Sequence, residues 1–267
     1  MYSGTTFRRD SGRIIGVHQK IDRAARRHLT KYITKGVEFP GIRDILHFEG
    51  TNGPDAIRYM NKDEPWHFID PTKPEDKMLI SLINDHIFNL TEALKKSNKT
   101  RAGFESAWLA HAVTDGLTPA HHYPLGDKIE ELWGKPRDER TNLRDKNIIR
   151  GSSRRDTLSK NWQYWGAGGV FTAHLMFEMG VATAIIPDKF EDSSPDKKDI
   201  ARLEKDGFET VFMESLQKIY AMKLYDEFCK KGWTWRLAAK VRKQLVPEIV
   251  KTVTLAWYQA LILTKES

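Results

Sequence analysis

Histidine and carboxylate recur at one-turn spacing in this chain, in places where apolar residues are expected. The stretch HAVTDGLTPAHH, His111 to His122, holds three histidines and an aspartate. His111 and Asp115 are four apart, which on a helix brings their Cβ atoms to roughly 5–6 Å. They continue the apolar stripe of Phe104, Trp108 and Ala112. A buried carboxylate is costly unless it is paired or binds a cation. The run VFTAHLMFEMGVATAII repeats the pattern, with His174 and Glu178 among Phe171, Leu175, Val181 and Ile185. His18 shares a face with Ile21, Ala25 and Leu29. Imidazole and carboxylate are the ligand types that suit zinc. One such pair alone is ordinary buried hydrogen bonding. Two pairs, together with His18 and His121, point to a metal cluster. His122 competes with His121 for the same place. His28, His47 and His86 are read as structural or surface residues.

Helices must position these groups. Apolar spacing predicts helices over about 12–35, 75–96, 98–117, 168–186, 199–229 and 236–263. Pro74 suits the start of the second and Asn98 caps the third. Pro119 stops the third helix, so the chain can turn His121 back toward Asp115. Pro247 is expected to kink or split the last helix. Alternating strand patterns of useful length are absent, so the chain is expected to be all-α, one multi-helix domain over 1–267. Residues 48–76, rich in Gly, Pro, Asn and Asp, read as loop with short helical pieces. The segment 122–169 is long for a connector, which suggests a lid, a partly helical segment or disorder. A further loop is expected over 187–199.

Composition narrows the class. Hydrophobic residues make up 40% and there are eight tryptophans, enough for a real core. The net charge of +7 suits a phosphate-bearing partner, although it is also common in plain soluble proteins. Cys229 is the single cysteine, so no internal disulfide can form and a reducing compartment is expected. MYSGTTFRRDSGR lacks the apolar segment of a signal peptide. The longest apolar run, 170–186, is too short to span a bilayer and is broken by His174 and Glu178. It reads as a buried helix, and the chain as cytoplasmic.

HAVTDGLTPAH has the form H-x3-D-x3-P-x-H. It resembles the signature of the zinc-dependent phospholipase C superfamily, which includes the single-strand-specific nucleases of the nuclease P-one type. Other blocks are similar in order. GVHQKIDRAA offers His18, GPDAIRY offers Asp55, PWHFIDP offers His67, and HLMFE offers His174 and Glu178. The resemblance spans 16–178 in sparse blocks. It implies a mostly helical protein holding two or three zinc ions for phosphodiester hydrolysis. By this resemblance Asp55, His67, His111 and Asp115 hold one zinc, with Asp70 the rival of Asp55. His121, His174 and Glu178 hold a second. His18 and a bridging Asp115 contribute to a third. Asp55 would orient or deprotonate the attacking water. The family's amino-terminal tryptophan, which binds the third zinc, has no counterpart before Trp66. His121 and His174 also stand further apart than is usual, separated by an inserted basic loop at about 123–169.

Within that insertion Arg150, Arg154 and Arg155 are candidates to stabilise the leaving oxygen, against the reading that they belong to a solvated charge run. Trp133, Trp162, Tyr164 and Trp165 could stack on bases, enter a lipid interface or simply pack. The closing Glu178, rather than Asp, favours the phospholipase-like branch. The expectation is therefore a phospholipase C-like hydrolase acting on a phospholipid headgroup. A nuclease for single-stranded nucleic acid comes next, then a zinc-binding module without catalysis and a metal-free helical domain.

Overall fold

The computed structural model describes residues 16–33, 36–49, 53–57, 67–122, 125–135, 139 and 148–265. Regular structure among them is helical, without strands. Helix α1 is Val17–Leu29, continued by a 3-10 turn at Thr30–Tyr32. Two short helices follow, α2 at Ile42–His47 and α3 at Pro54–Ile57. Then come α4, Met78–Lys95, and α5, Lys99–Gly116. The Asn98 side chain caps α5 by accepting from the Arg101 amide at 3.0 Å. The insertion carries α6, Leu125–Trp133, and α7, Arg154–Trp165. Next is α8, Val170–Ala184. Asp196 then opens α9, Lys197–Ala221, through a reciprocal cap with Asp199. The chain ends with α10 (Leu224–Lys231), α11 (Trp235–Lys240), a π-helical turn (Val241–Leu245) and α12 (Val246–Lys265).

The core is organised around α12, which touches α1, α4, α5 and α9. Its Trp257 is fully buried and donates its indole N–H to the Ser106 carbonyl of α5 at 2.9 Å. Ile249, Val250, Val253 and Ala256 are also fully buried. This packing fixes α1 and α5 against one shared neighbour, so their polar residues are held in register. Helix α2 lies on α5 at Gly103, where a Cβ would stand only 3.2 Å from the Asp44 carbonyl. That close approach places the residues leaving α2 beside the second half of α5.

Several boundaries differ from expectation, each for a local reason. Helix α1 is shorter than the expected 12–35, since Gly16 before it and Ile33 after its 3-10 turn are extended; residues 12–15, 34 and 35 lie outside the described residues. The segment expected as one helix over 199–229 is two, separated where Lys223 is left-handed at φ 51°. Gly207, at φ 76°, also breaks the regular path inside α9. The last helix does break near Pro247, but the irregularity comes just before it. A proline ring crowds the carbonyl four residues back, and the wider π turn over Val241–Leu245 gives that room. The segment 122–169 contains α6 and α7 among its described residues, in line with the partly helical alternative. Helix α8 is not buried all round. Phe177, Val181 and Ala182 face inward, while Leu175, Met176 and the following Ile186 are exposed. No helix among the described residues is long and apolar enough to cross a membrane.

Candidate metal centre

The last turn of α5 carries His111 and Asp115, both buried. The Asp115 carboxylate faces three imidazoles. Its Oδ2 is 3.2 Å from His111 Nε2. Its Oδ1 is 3.2 Å from His18 Nε2 and 3.6 Å from His121 Nδ1. Helix α1 crosses α5 so that the His18 and His111 rings stack, with centroids 4.0 Å apart and 11° between planes. His121 returns to the site because α5 ends and Pro119 opens a 3-10 turn, closed by the His121 amide donating to the Thr118 carbonyl at 2.8 Å.

Helix α8 completes the cluster from the far side of the insertion. Glu178 Oε1 lies 3.1 Å from His121 Nε2 and 3.0 Å from His174 Nε2. The His121 and His174 rings are parallel, 5.0 Å apart. From α3, Asp55 Oδ1 reaches within 3.5 Å of His111 Nε2. Asp55 is the open edge of the site, with its side chain 42% exposed where the others are nearly closed off.

Convergent ligand atoms form three groups among the described residues: Asp55 with His111 and Asp115; His121 with His174 and Glu178; and His18 with Glu49 and His111. The donor set suits a cation. Both ring nitrogens of His18, Nδ1 of His121 and Nδ1 of His174 are buried without an aligned hydrogen-bond partner. His18 Nε2 and His121 Nδ1 are near the Asp115 carboxylate but do not aim a hydrogen bond at it. Orphaned buried polar atoms are rare and call for an explanation. Lone pairs directed at a shared ion supply one, and a nitrogen–oxygen set of this kind suits zinc.

The electrostatics carry the same message. Burial opposes charge on His111, yet the carboxylates of Glu49, Asp115 and Asp55 hold it well above the ordinary imidazole range. Burial would raise Asp115, but its carboxyl is held well below the usual carboxylate range, with the neighbouring His111 among the charges that lower it. Burial likewise opposes ionisation of Glu178, yet its carboxyl is held well below the usual range, with His174 and the hydrogen bond from His121 among the causes that lower it. Asp55 is held low in the same way, chiefly by His111 against its burial. His121 is pushed down to about 3 by burial, so at neutral pH it is an uncharged imidazole with a lone pair to give.

Spacing and motif pointed to every one of these groups except two. Glu49, which follows α2 and is 1% exposed, faces His111 Nδ1 at 3.0 Å. His111 Nε2 faces Asp55 and Asp115. A neutral imidazole has one lone pair and one N–H. If Nε2 is the ligand atom, Nδ1 is the donor and Glu49 its acceptor, the carboxylate–histidine arrangement that orients metal ligands. The second is Asp22, one turn after His18 on α1 and also buried. Burial first, then the neighbouring Glu49, pushes its carboxyl well above the ordinary range. His18-x3-Asp22 is a third histidine–acid pair, and its spacing alone could have revealed it. Glu49 sits at a helix end with no periodic signal.

The remaining candidates fall elsewhere. His67 stands against His121, ring centroids 5.1 Å apart, and is in none of the three convergent groups; it is not gathered with Asp55, His111 and Asp115. Asp70, the rival of Asp55, accepts from the Thr72 amide and hydroxyl and so closes its own turn. His122 bonds the Gly116 carbonyl through Nε2 at 2.8 Å, which leaves the site to His121. His28 bonds the Phe190 carbonyl, and His86 pairs with buried Glu105 at 2.6 Å.

A scan against protein-family models, a search of curated proteins and a search of solved structures each found no match to this chain.

Proposed function

We propose that the chain is a zinc-dependent phosphodiester hydrolase of the phospholipase C type. The observation that supports this most is the convergence of His18, Asp55, His111, Asp115, His121, His174 and Glu178, from four helices and one turn, around buried ring nitrogens that lack hydrogen-bond partners. In this reading Asp55, His111 and Asp115 hold one ion, and His121, His174 and Glu178 a second. Asp115 lies between the two groups and also faces His18, where a third ion would sit. His67 stands at the edge of the His121 group.

Bound there, zinc would supply Lewis acidity toward phosphoryl oxygen and toward water near neutral pH. The chain's own residues do the rest. Asp115 hydrogen-bonds His111 and faces His18 and His121. Glu49 fixes the tautomer of His111. Burial keeps His121 unprotonated. Asp55, anionic at the open edge of the site beside His111, would orient the attacking water by accepting a hydrogen bond from it. A single-strand nuclease would use the same centre, so single-stranded DNA is the competing substrate in the test.

The test is metal stoichiometry by native mass spectrometry together with turnover of a chromogenic phosphodiester. Wild type is expected to hold at least two zinc ions per chain and to turn over the substrate, with His111→Ala and His174→Ala each losing an ion. Equal occupancy in all three proteins overturns the ligand assignment. Full occupancy with no cleavage of the chromogenic ester, phosphatidylcholine or single-stranded DNA leaves a zinc-binding module and overturns the hydrolase.

A further inference from the structure

Helix α7 carries its apolar residues on the outside. Leu158 and Trp162 are each 72% exposed and Trp165 is 42% exposed. They are spaced one turn apart, so they form one stripe along the helix. Tyr164, turned away from the stripe, is buried, and at the stripe's edge the Asn161 side chain donates to the Ile149 carbonyl at 2.7 Å. The stripe continues onto α8. Trp165 meets Phe171 edge-on at 4.7 Å, and Leu175, one turn further along α8, is exposed as well. Leu175 is the immediate neighbour of His174.

Charge accompanies the stripe. Arg154 and Arg155 open α7, one on each flank of Leu158 by helical spacing, and both are exposed. Neither has an acidic partner among the described residues. An exposed row of tryptophan and leucine with arginine beside it is the composition of a helix that lies in the headgroup region of a bilayer. We propose that the outer face of α7 and the adjoining flank of α8 form a docking surface for an anionic lipid–water interface.

The other possible occupants fit less well. A second copy of the chain would bring Arg154 and Arg155 against themselves, and the whole chain is already at +7. Nucleic acid would use the arginines and the two indoles, but Leu158 and Leu175 offer no stacking face and suit acyl chains. The surface stands independently of the hydrolase reading: it consists of groups that hold no metal, although it leads along α8 to two that would.

Flotation of the full chain with phosphatidylcholine vesicles, with and without phosphatidylserine, tests this, run in zinc and again in chelator. Wild type is expected to float with the phosphatidylserine vesicles in both conditions. Leu158→Ser with Trp162→Ser is expected to lower partition at least ~tenfold. Arg154→Gln and Arg155→Gln are each expected to lower it roughly fivefold, on anionic vesicles only. Phe88→Ser, an equally exposed apolar residue on α4, is expected to behave as wild type. No flotation of wild type overturns the proposal, as does flotation of the Leu158/Trp162 variant at the wild-type level. Self-association, or binding of a single-stranded oligonucleotide, that is abolished by the same substitutions while vesicle binding is unchanged also overturns it. Turnover of a soluble chromogenic diester does not need this surface. Its loss with flotation intact tells against the hydrolase alone, and its retention without flotation tells against the docking surface alone.

Discussion

Replacing Glu49 by alanine removes the acceptor from His111 Nδ1 while leaving every proposed ligand in place. The contact is 3.0 Å long and both side chains are nearly fully buried. A hydrogen bond to a charged group is worth about 1.5–3 kcal/mol, more when its partner is left unsatisfied in the interior. Loss of an outer partner of a metal-bound histidine typically weakens the metal 10–100-fold, which is about 1.4–2.7 kcal/mol. The two figures agree, so Glu49→Ala is expected to weaken the ion at His111 by one to two orders of magnitude. Glu49→Gln keeps an amide oxygen for the same N–H and is expected to fall between. The assay is zinc titration against a competing chromogenic chelator, read for each site.

The control lies on α5, the helix that carries His111. Glu105 is equally buried and pairs with His86 at 2.6 Å, but neither belongs to a convergent group. Glu105→Ala should therefore lower stability toward urea and leave zinc affinity alone. If Glu49→Ala binds zinc as wild type does, Glu49 does not orient a ligand. If Glu105→Ala weakens zinc as much, the effect reports general loosening of α5, and the reasoning fails there too.

Other perturbations separate positioning from chemistry. Asp55→Asn is expected to cut diester turnover about 10²-fold, the scale for a mispositioned reactant, while the ion at His121, His174 and Glu178 stays bound; unchanged turnover removes Asp55 from the reaction. A Cβ on Gly180 would overlap the Trp233 ring at 1.6 Å. Gly180→Ala should push Trp233 off Phe177 and cost about 1–3 kcal/mol in urea unfolding, with a shift in tryptophan emission; an unchanged midpoint contradicts that packing. Burial pushes His122 down to about 4, against the pull of the Gly116 carbonyl, from about 6.5 in the unfolded chain. The folded state favours the neutral ring, so this contribution is complete above pH ~6.5 and is lost as pH falls toward 4. In chelator, the stability of wild type relative to His122→Gln should drop by about 2 kcal/mol between pH 7 and 5; a gap that does not change with pH refutes it.

How much of this was legible in the sequence depends on how each residue is carried. His111 with Asp115, and His174 with Glu178, are pairs one turn apart on long helices. Local periodicity alone puts each pair on one face, and the structure brings both pairs to one cluster through Asp115 and His121. His18 with Asp22 obeys the same rule. Residues outside long helices do not. His67 precedes a turn, and its ring ends against His121 because the Ile69 amide donates to the His121 carbonyl, a contact no spacing announces. Glu49 depends on the close approach of α2 to Gly103. Helix α7 was hidden for the opposite reason. Its apolar stripe faces solvent, so a rule that sends apolar stripes inward would misplace it, and the run of charges before it reads as loop.

The same contrast bears on the cations proposed for the centre. A helix can turn one acid inward and pair it with side chains that are not shared with other acids, as Glu105 is paired with His86 and Arg101. Here Glu49, Asp115 and Glu178 are buried together with Asp22, and Asp55 closes the edge. The imidazoles around them can be shared but not multiplied: Asp115 alone faces three, and Glu178 takes two, one of which is also near Asp115. Protons could balance the acids, and at His111 the surrounding carboxylates hold one. At His121 they cannot, because burial keeps that ring neutral. A neutral imidazole between two carboxylates, with a buried nitrogen lacking an aligned partner, is where the proposed divalent ion would offset what a proton does not.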